Sequence, residues 1–215
     1  MIIINKNAKY HISNGNKKLV PSRLVNFLIW NLPAVKTCPF RTRLCEKFCY
    51  AKKAEWFYKD ALPARLDNLA ASKSADFVEF MSTFILEKAR RQRKPQLIVR
   101  IHESGDFYNK EYAEKWLQIA RNCQECEKIT FIAYTKSFQY FDGVDLPSNF
   151  SLRASIWADT SLEHIEMILR NNWPIYTAVE KFTENDTFHQ CRCDDCATCG
   201  ACWDSSKKDI RCEIH

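Results

Sequence analysis

Glycine is scarce in this chain, and long apolar runs are missing. The 215 residues include four glycines, and none of them forms a glycine-rich loop of the kind that cradles phosphate. No stretch approaches the roughly 18 apolar residues that a membrane-spanning helix needs. The apolar start at residues 2–4 is too short for a signal-peptide core. The sequence therefore predicts neither a common nucleotide-binding motif nor a membrane protein, and we expect a cytoplasmic location.

A large excess of charge of either sign is also missing. Lysine and arginine number 32 against 26 acidic residues, a formal net charge of +6. The densest cationic run, at residues 88–94, ends a predicted helix, where positive side chains complement the helix dipole. Nucleic acid is the alternative partner for this run.

Cysteine, by contrast, is abundant. The chain has eleven cysteines, an odd number, and they crowd toward the C-terminus. Thiols stay reduced in the cytoplasm, so disulfides are not their expected use there. We therefore expect most of these cysteines to be metal ligands.

The strongest metal signal lies at residues 191–202. Its cysteines are Cys191, Cys193, Cys196, Cys199 and Cys202. From Cys193 onward they recur at two-residue gaps, whereas a zinc site normally uses two such pairs a dozen or more residues apart. Tightly repeated gaps suit one loop that wraps a [4Fe–4S] cluster. The spacing leaves open whether Cys191 or Cys193 is the fourth ligand, and zinc is the alternative metal.

A second cysteine group lies near the N-terminus. Cys45 and Cys49 are four residues apart in a helix predicted at about 45–57, so we expect them to share one helical face. The helix dipole near that end favours thiolate, and Cys38 arrives from the preceding loop. These three cysteines could hold a cluster with one open iron or take a fourth ligand from the C-terminal run. The sequence therefore predicts one or two clusters.

Apolar, β-branched runs alternate with amphipathic helices along the chain, which predicts an α/β fold. The predicted strands are residues 24–30, 97–101, 129–133, 150–156 and 175–179, and we expect 175–179 to be the last strand. The predicted helices are about 45–57, 62–72, 75–92, 110–122 and 162–169. About five or six strands are too few for a closed eight-stranded barrel, so we expect a mostly parallel sheet or partial barrel with helical crossovers. We expect residues 1–188 to form this domain, with a cysteine loop at 38–49, and residues 189–215 to be a C-terminal cysteine-rich metal-binding segment packed on it.

Polar residues follow four of the predicted strands. Ligands bind at the carboxyl ends of parallel strands, so we expect a pocket there. Its candidate residues are Arg100, His102, Asp106, Lys136 and Arg153. The cations suit a small anionic substrate, and His102 is either a proton-transfer group or a satisfied structural histidine. Each arginine lies within an apolar run and needs a partner, such as Asp106, Glu103 or an anionic ligand.

Four segments together resemble the phage-associated gene product 88 domain family. They are Thr37-Cys38-Pro39 with Cys45 and residues 49–52; residues 100–107; residues 133–137; and Cys196-x2-Cys199-x2-Cys202-Trp203. The segments span about 37–203, most of the chain. The resemblance implies a cysteine-ligated iron–sulfur centre in a phage protein, which would act in the host cytoplasm, and it names no reaction.

The order of elements is also similar to a shortened radical S-adenosylmethionine barrel, a likeness that bears on fold alone. The spacing CxxxxxxCxxxC differs from the CxxxCxxC of that superfamily. Three functions stay open: a redox or radical enzyme, an electron carrier or sensor with a redox partner, and a zinc-containing nucleic-acid-binding protein. The sequence does not decide whether the protein is an enzyme.

Overall fold

A computed structural model describes residues 1–5, 8–182, 187–192, 195–204 and 209–214. Within these ranges the strands form one nine-stranded sheet that does not close, and helices pack against it. The strands are β1 (Ile2–Asn5), β2 (Ala8–Ser13), β3 (Val25–Trp30), β4 (Gln96–Ile101), β5 (Ile129–Thr135), β6 (Phe150–Ile156), β7 (Ile175–Val179), β8 (His189–Cys191) and β9 (Ile210–Glu213). The helices are α1 (Arg43–Lys47), α2 (Tyr50–Phe57), α3 (Ala61–Ala71), α4 (Phe77–Arg91), α5 (Lys110–Asn122), α6 (Leu162–Arg170), α7 (Cys196–Cys199) and a short 3₁₀ helix (Phe138–Phe141).

The strand order is β1-β2-β3-β4-β5-β6-β7-β9-β8. Strands β3 to β7 pair in parallel in the order of the chain, and β9 and β8 extend the parallel set. Strands β1 and β2 add an antiparallel edge. Helical crossovers between sequential parallel strands are the arrangement of a partial barrel. The predicted α/β architecture with a mostly parallel sheet is therefore confirmed.

Local signals explain where the helices begin. The Asn109 side chain accepts a hydrogen bond from the Tyr112 amide at 2.9 Å and caps α5. Ser161 caps α6 in the same way. Helix α5 then buries Tyr112, Trp116 and Ile119 on one face, at the helical spacing that the sequence shows.

The helix predicted at about 45–57 is wrong, because the chain forms two helices there. Residues 48 and 49 separate α1 from α2, and Cys49 has extended backbone at the start of α2. The Phe48 ring stacks on Trp157, with ring centroids 5.9 Å apart, and this tertiary contact falls at the interruption. Cys45 and Cys49 therefore lie on different helices instead of sharing one helical face.

The strand count was also predicted wrongly. Strand β7 is not the last strand, since β8 and β9 follow it, and the sheet holds more than the expected five or six strands within the described residues. The extra strands are short or carry mixed polar residues, as in β8 with its sequence His-Gln-Cys. Only β8 shows neither an apolar run nor an alternation. Strand β1 begins with the apolar run at residues 2–4, and β2 and β9 alternate apolar and polar residues, a signal that the prediction did not use.

The two faces of the sheet are covered differently. The large core packs between the sheet and the helices, with Trp30, Phe77 and Trp116 among its buried rings. The opposite face carries a smaller apolar cluster, and Trp203 from the C-terminal segment lies against Phe27 there, with ring centroids 5.9 Å apart. The division of domains at residue 188 stays a prediction. Among the residues described above, none of the helices has the length and apolarity that crossing a membrane requires.

Candidate metal centre and strand-end pocket

The N-terminal cysteine loop follows β3 and lies at the carboxyl edge of the parallel strands. The Thr42 hydroxyl accepts a hydrogen bond from the Cys45 amide at 3.2 Å and starts α1. Burial is the main cause that raises the pKa of the Cys38 thiol to about 12, and Asp106, Cys45 and Cys49 add to the effect by their charge. Because such effects of charge act over short distances, the three predicted ligands of the loop lie near one another.

A buried cation lies beside this loop. Lys136 follows β5, is 9% exposed, and donates from Nζ to the Ser155 hydroxyl of β6 at 2.8 Å. Burial raises the pKa of the Cys45 thiol, while the charge of Lys136 and its hydrogen bond to the sulfur lower it. Residues from two strand ends therefore meet the cysteine loop, as parallel strand ends do in ligand sites.

Asp106 fixes the backbone at this edge of the sheet. Its carboxylate accepts hydrogen bonds from the Thr135 hydroxyl at 2.5 Å and from the amides of Lys136 and Phe107, both at 2.8 Å. Burial raises the pKa of Asp106, and these hydrogen bonds oppose the shift. Asp106 thus ties the segment after β4 to the end of β5 and positions Lys136.

Arg153 binds the C-terminal segment. It is 2% exposed, and its guanidinium donates to the Cys202 carbonyl at 3.0 Å and to the Ala201 carbonyl at 2.8 Å. Ser151, two residues earlier on β6, also donates to the Cys202 carbonyl, at 3.2 Å. These carbonyl partners were not predicted, since we expected a carboxylate or an anionic ligand.

Arg100 and Tyr134 connect the same segment to the sheet. The Arg100 guanidinium lies 4.5 Å from the centre of the Tyr134 ring, a cation–π contact. The Tyr134 hydroxyl hydrogen-bonds to the Cys202 sulfur. Burial raises the pKa of the Cys202 thiol, and Tyr134, Arg100 and Arg153 oppose that shift. Sequence reasoning missed Tyr134, because its hydroxyl acts on a cysteine that is distant in the chain.

His102 lies in the helix-side core. It is 3% exposed, its Nε2 is 2.9 Å from the Tyr112 hydroxyl, and its ring lies 4.8 Å from that of Phe107. A positive φ of 65° turns the chain at this residue. Burial, with the charge of Arg100, lowers the pKa of His102 to about 3. These contacts fit the alternative that His102 is a structural histidine. The other pocket candidates, Arg100, Asp106, Lys136 and Arg153, lie nearer to the cysteines.

Cys196 and Cys199 lie in α7, and Cys202 follows that helix. The Asp195 carboxylate accepts from the amides of Ala197 and Thr198 and starts this short helix. The Cys199 sulfur is 3.2 Å from Nε2 of His189 in β8. Gly200 ends the helix with a left-handed φ of 62°, the conformation that glycine adopts most easily.

Whether Cys191 or Cys193 is the ligand that precedes Cys196 stays undecided. Cys191 lies in β8, opposite Cys212 of β9 in the parallel register. Cys193 lies outside the described residues. Cys196 and Cys202 pack against the smaller apolar cluster of the sheet.

The donor set bears on which metal group the protein can hold. Among the described residues, no group of three or more His, Cys, Asp or Glu side chains converges as one metal ion requires. A [4Fe–4S] cluster offers a separate iron to each thiolate, so its ligands need not converge on one point. Cys38, Cys45 and Cys49 are thiols in one loop, and soft sulfur ligands of this kind are those that iron–sulfur clusters take. The residues present therefore fit a cluster.

Two curated proteins that are similar to this chain come from phages. The curated relatives include the Gene 88 protein of Mycobacterium phage D29, 31% identical over 107 residues, which are 46% of this chain and 42% of that protein. The Gene 88 protein of Mycobacterium phage L5 is 32% identical over 105 residues, 46% of this chain and 43% of that protein. The chain thus matches less than half the length of either relative.

No solved structure matches the chain. The family model described as gene product 88 matches residues 4–205, which is most of the sequence. This match contains both cysteine groups and all the strand-end residues described above. The chain therefore belongs to the gene product 88 family of phage proteins, as its motifs predicted.

Proposed function

We propose that this protein is an iron–sulfur protein in which Cys38, Cys45 and Cys49 hold a [4Fe–4S] cluster. The observation that carries the proposal is the meeting of these three thiols with the buried Lys136 cation at the carboxyl edge of the sheet. A bound cluster would supply one-electron redox chemistry. The partner or substrate of that redox role is an electron-transfer protein or a small anionic molecule.

The surroundings of the loop suit a negatively charged group. Thiolate-ligated clusters carry negative charge, and burying such a charge requires a nearby cation. Lys136 supplies that cation at Cys45, and Asp106 holds the Lys136 backbone in place. Ser155 accepts from the same ammonium and orients it.

The C-terminal run is the proposed second ligand group. Cys196, Cys199 and Cys202 would hold a second cluster together with Cys191 or Cys193, or would donate one thiolate to the first. The hydrogen bonds from Arg153 and Ser151 to the Cys202 carbonyl support this assignment, because they hold the segment on the sheet. Zinc is the alternative metal for this run.

The ligand assignment is tested by replacing one cysteine at a time. Cys45→Ser removes a proposed ligand, whereas Cys126→Ser is a matched control, since Cys126 packs against the helix-side core. We expect anaerobically purified Cys45→Ser to lose iron and sulfide while the control keeps both. Circular dichroism checks that both variants are folded. Full iron and sulfide in folded Cys45→Ser would show that the cluster is not on this loop.

A radical enzyme is the second candidate function. Strands β3 to β7 pair in parallel in chain order, and the three-cysteine loop follows the first of them, as in radical S-adenosylmethionine barrels. Three ligands would leave one iron open, although the cysteine spacing differs from that superfamily. The reduced protein is titrated with S-adenosylmethionine while its EPR spectrum is recorded. A shifted spectrum supports the enzyme, and an unchanged one supports a carrier or sensor.

A further inference from the structure

A cleft of about 740 Å³ lies along α1 and α2. Its volume falls within the range of about 300–1,000 Å³ that is typical of ligand sites. Cys49 lies on its wall. The cleft thus shares Cys49 with the proposed cluster site, and its other lining residues are not proposed ligands.

Most charged groups that line the cleft are cations. They are Arg43, Lys47, Lys52 and Lys53, all exposed, and one carboxylate, Glu46, lies among them. Glu46 pairs with Arg41 at 2.7 Å and with Lys52 at 3.7 Å, so its charge is already offset. The remaining positive charge favours an anionic ligand.

Three aromatic side chains at the C-terminal end of α2 are unusually exposed. Trp56 is 80% exposed, Phe57 70% and Tyr58 68%, and they are consecutive in the chain. Trp56 and Phe57 line the cleft, and their rings are 4.9 Å apart at an angle of 73°. Large apolar side chains exposed in one patch commonly mark a binding surface.

We propose that this cleft binds single-stranded nucleic acid. Cations that follow a phosphate backbone and rings on which bases stack are the two components of single-strand binding sites. Here both components occur within one short stretch of chain, residues 43–58. An acidic peptide would use the cations but would leave the rings without stacking partners, and a duplex keeps its base faces covered. A single strand uses both components.

The experiment measures fluorescence anisotropy of a labelled oligothymidine of roughly 20 nucleotides with the full chain, purified anaerobically, at about 50 mM salt. Trp56→Ala removes one ring, and Leu162→Ala is its matched control, because Leu162 is also 80% exposed. We expect Trp56→Ala to weaken binding about 5- to 100-fold, the range for loss of one stacked base, and Leu162→Ala to leave it unchanged.

Two double variants test the contribution of the cations. Lys47→Ala with Lys53→Ala removes two cations of the cleft, and Arg90→Ala with Arg93→Ala removes two exposed cations at the end of α4. We expect the cleft pair to weaken binding about tenfold and to reduce its salt dependence, with less than about a twofold effect of the α4 pair. Iron is measured in every variant, so that loss of the cluster and loss of nucleic-acid binding are distinguished.

Several results would overturn the proposal. The first is no binding of the oligothymidine at low salt, and the second is binding of a duplex of equal length with equal or greater affinity. Equal losses from the cleft variants and their controls would place the contact elsewhere, with the α4 run as the alternative. Binding of labelled polyglutamate without binding of oligothymidine would identify an acidic protein as the partner instead.

Discussion

Arg153 shows how a single buried side chain fixes the C-terminal segment. Its guanidinium donates to two carbonyls of that segment from the middle of β6. A hydrogen bond from a charged donor contributes about 1.5–3 kcal/mol, and a buried carbonyl without its donor is costly. Arg153 therefore stabilises the attachment of the cysteine-rich segment to the sheet.

We expect Arg153→Met to lower the free energy of unfolding by about 2–4 kcal/mol, because it removes a charged donor from the Ala201 carbonyl and leaves the Cys202 carbonyl with the Ser151 hydroxyl. Arg90→Met is the control, since Arg90 is exposed on α4 and surface changes rarely exceed about 0.5 kcal/mol. Urea unfolding followed by tryptophan fluorescence measures both. A loss for Arg153→Met no larger than that of the control would contradict this role.

His102 makes the stability depend on pH. Its pKa is about 3 in the folded protein, where it is buried and neutral, and near 6.5 in an unfolded chain. Between these values the unfolded state binds more protons, so the contribution is complete above about pH 6.5 and is lost as the pH falls toward 3. The loss amounts to about 2 kcal/mol by pH 5.

His102→Asn removes the titrating ring and keeps a residue that tolerates the positive φ. We expect its unfolding free energy to change less steeply than that of the unaltered protein between pH 6.5 and pH 5. The readout is the slope with pH, measured by urea unfolding at several pH values, and not the absolute stability. Identical slopes would mean that His102 does not titrate on unfolding.

For single residues, the sequence identified the cysteines and the cationic side chains better than the groups that these side chains contact. The cysteine spacing singled out Cys38, Cys45 and Cys49, which lie near one another in the structure, and their role as metal ligands stays a prediction. The acceptors of Arg153 are main-chain carbonyls, which every residue has, so no residue type marks them. Lys136 was predicted as a pocket cation, but its contact with Cys45 depends on how β5 and the loop meet in three dimensions.

Element boundaries followed the clarity of the local signal. The bounds of α5, β6 and β7 agree with the sequence prediction. Helix α5 has a cap, β6 alternates apolar and polar residues, and β7 is mostly apolar. The α1–α2 interruption was missed, because residues 45–57 have no proline or glycine to mark it. The feature found at the interruption is a tertiary contact, the stacking of Phe48 on Trp157, which has no local sequence signal.

The turn after β4 positions the cysteine loop through Gly105. This residue has a φ of 85°, and a Cβ there would lie 2.6 Å from the Leu32 Cβ and 2.6 Å from the Thr37 Oγ1. Those residues flank the chain that leads to Cys38. Gly143 has a similar φ of 69°, but a Cβ there would meet nothing within 4 Å.

We expect Gly105→Ala to displace the loop and to lower iron retention, in addition to destabilising the fold by more than about 2 kcal/mol. Gly143→Ala should cost about 1–2 kcal/mol from its backbone alone and should keep iron. Iron per chain after desalting and urea unfolding give the two readouts. Equal iron retention in both variants would show that the close approach at Gly105 does not position Cys38.

At the scale of the whole molecule, the order of the parallel strands brings the cysteine loop and the polar strand ends to one edge. That placement was predictable, because sequential β–α units leave all their carboxyl ends on the same side. The antiparallel hairpin of β1 and β2 and the added β8 and β9 were not predicted. Strand β8 carries no periodic signal, whereas the apolar run of β1 and the alternation of β2 were present in the sequence and were not used. Family membership followed from the combination of motifs, and the proposed cluster rests on the site they form.

The central claim is that this site holds an iron–sulfur cluster. The most direct measurement is the content of iron, acid-labile sulfide and zinc per chain after purification without oxygen. We expect roughly four iron and four sulfide for one cluster, or roughly eight of each for two, with an EPR signal after reduction by dithionite. Zinc without sulfide would contradict it.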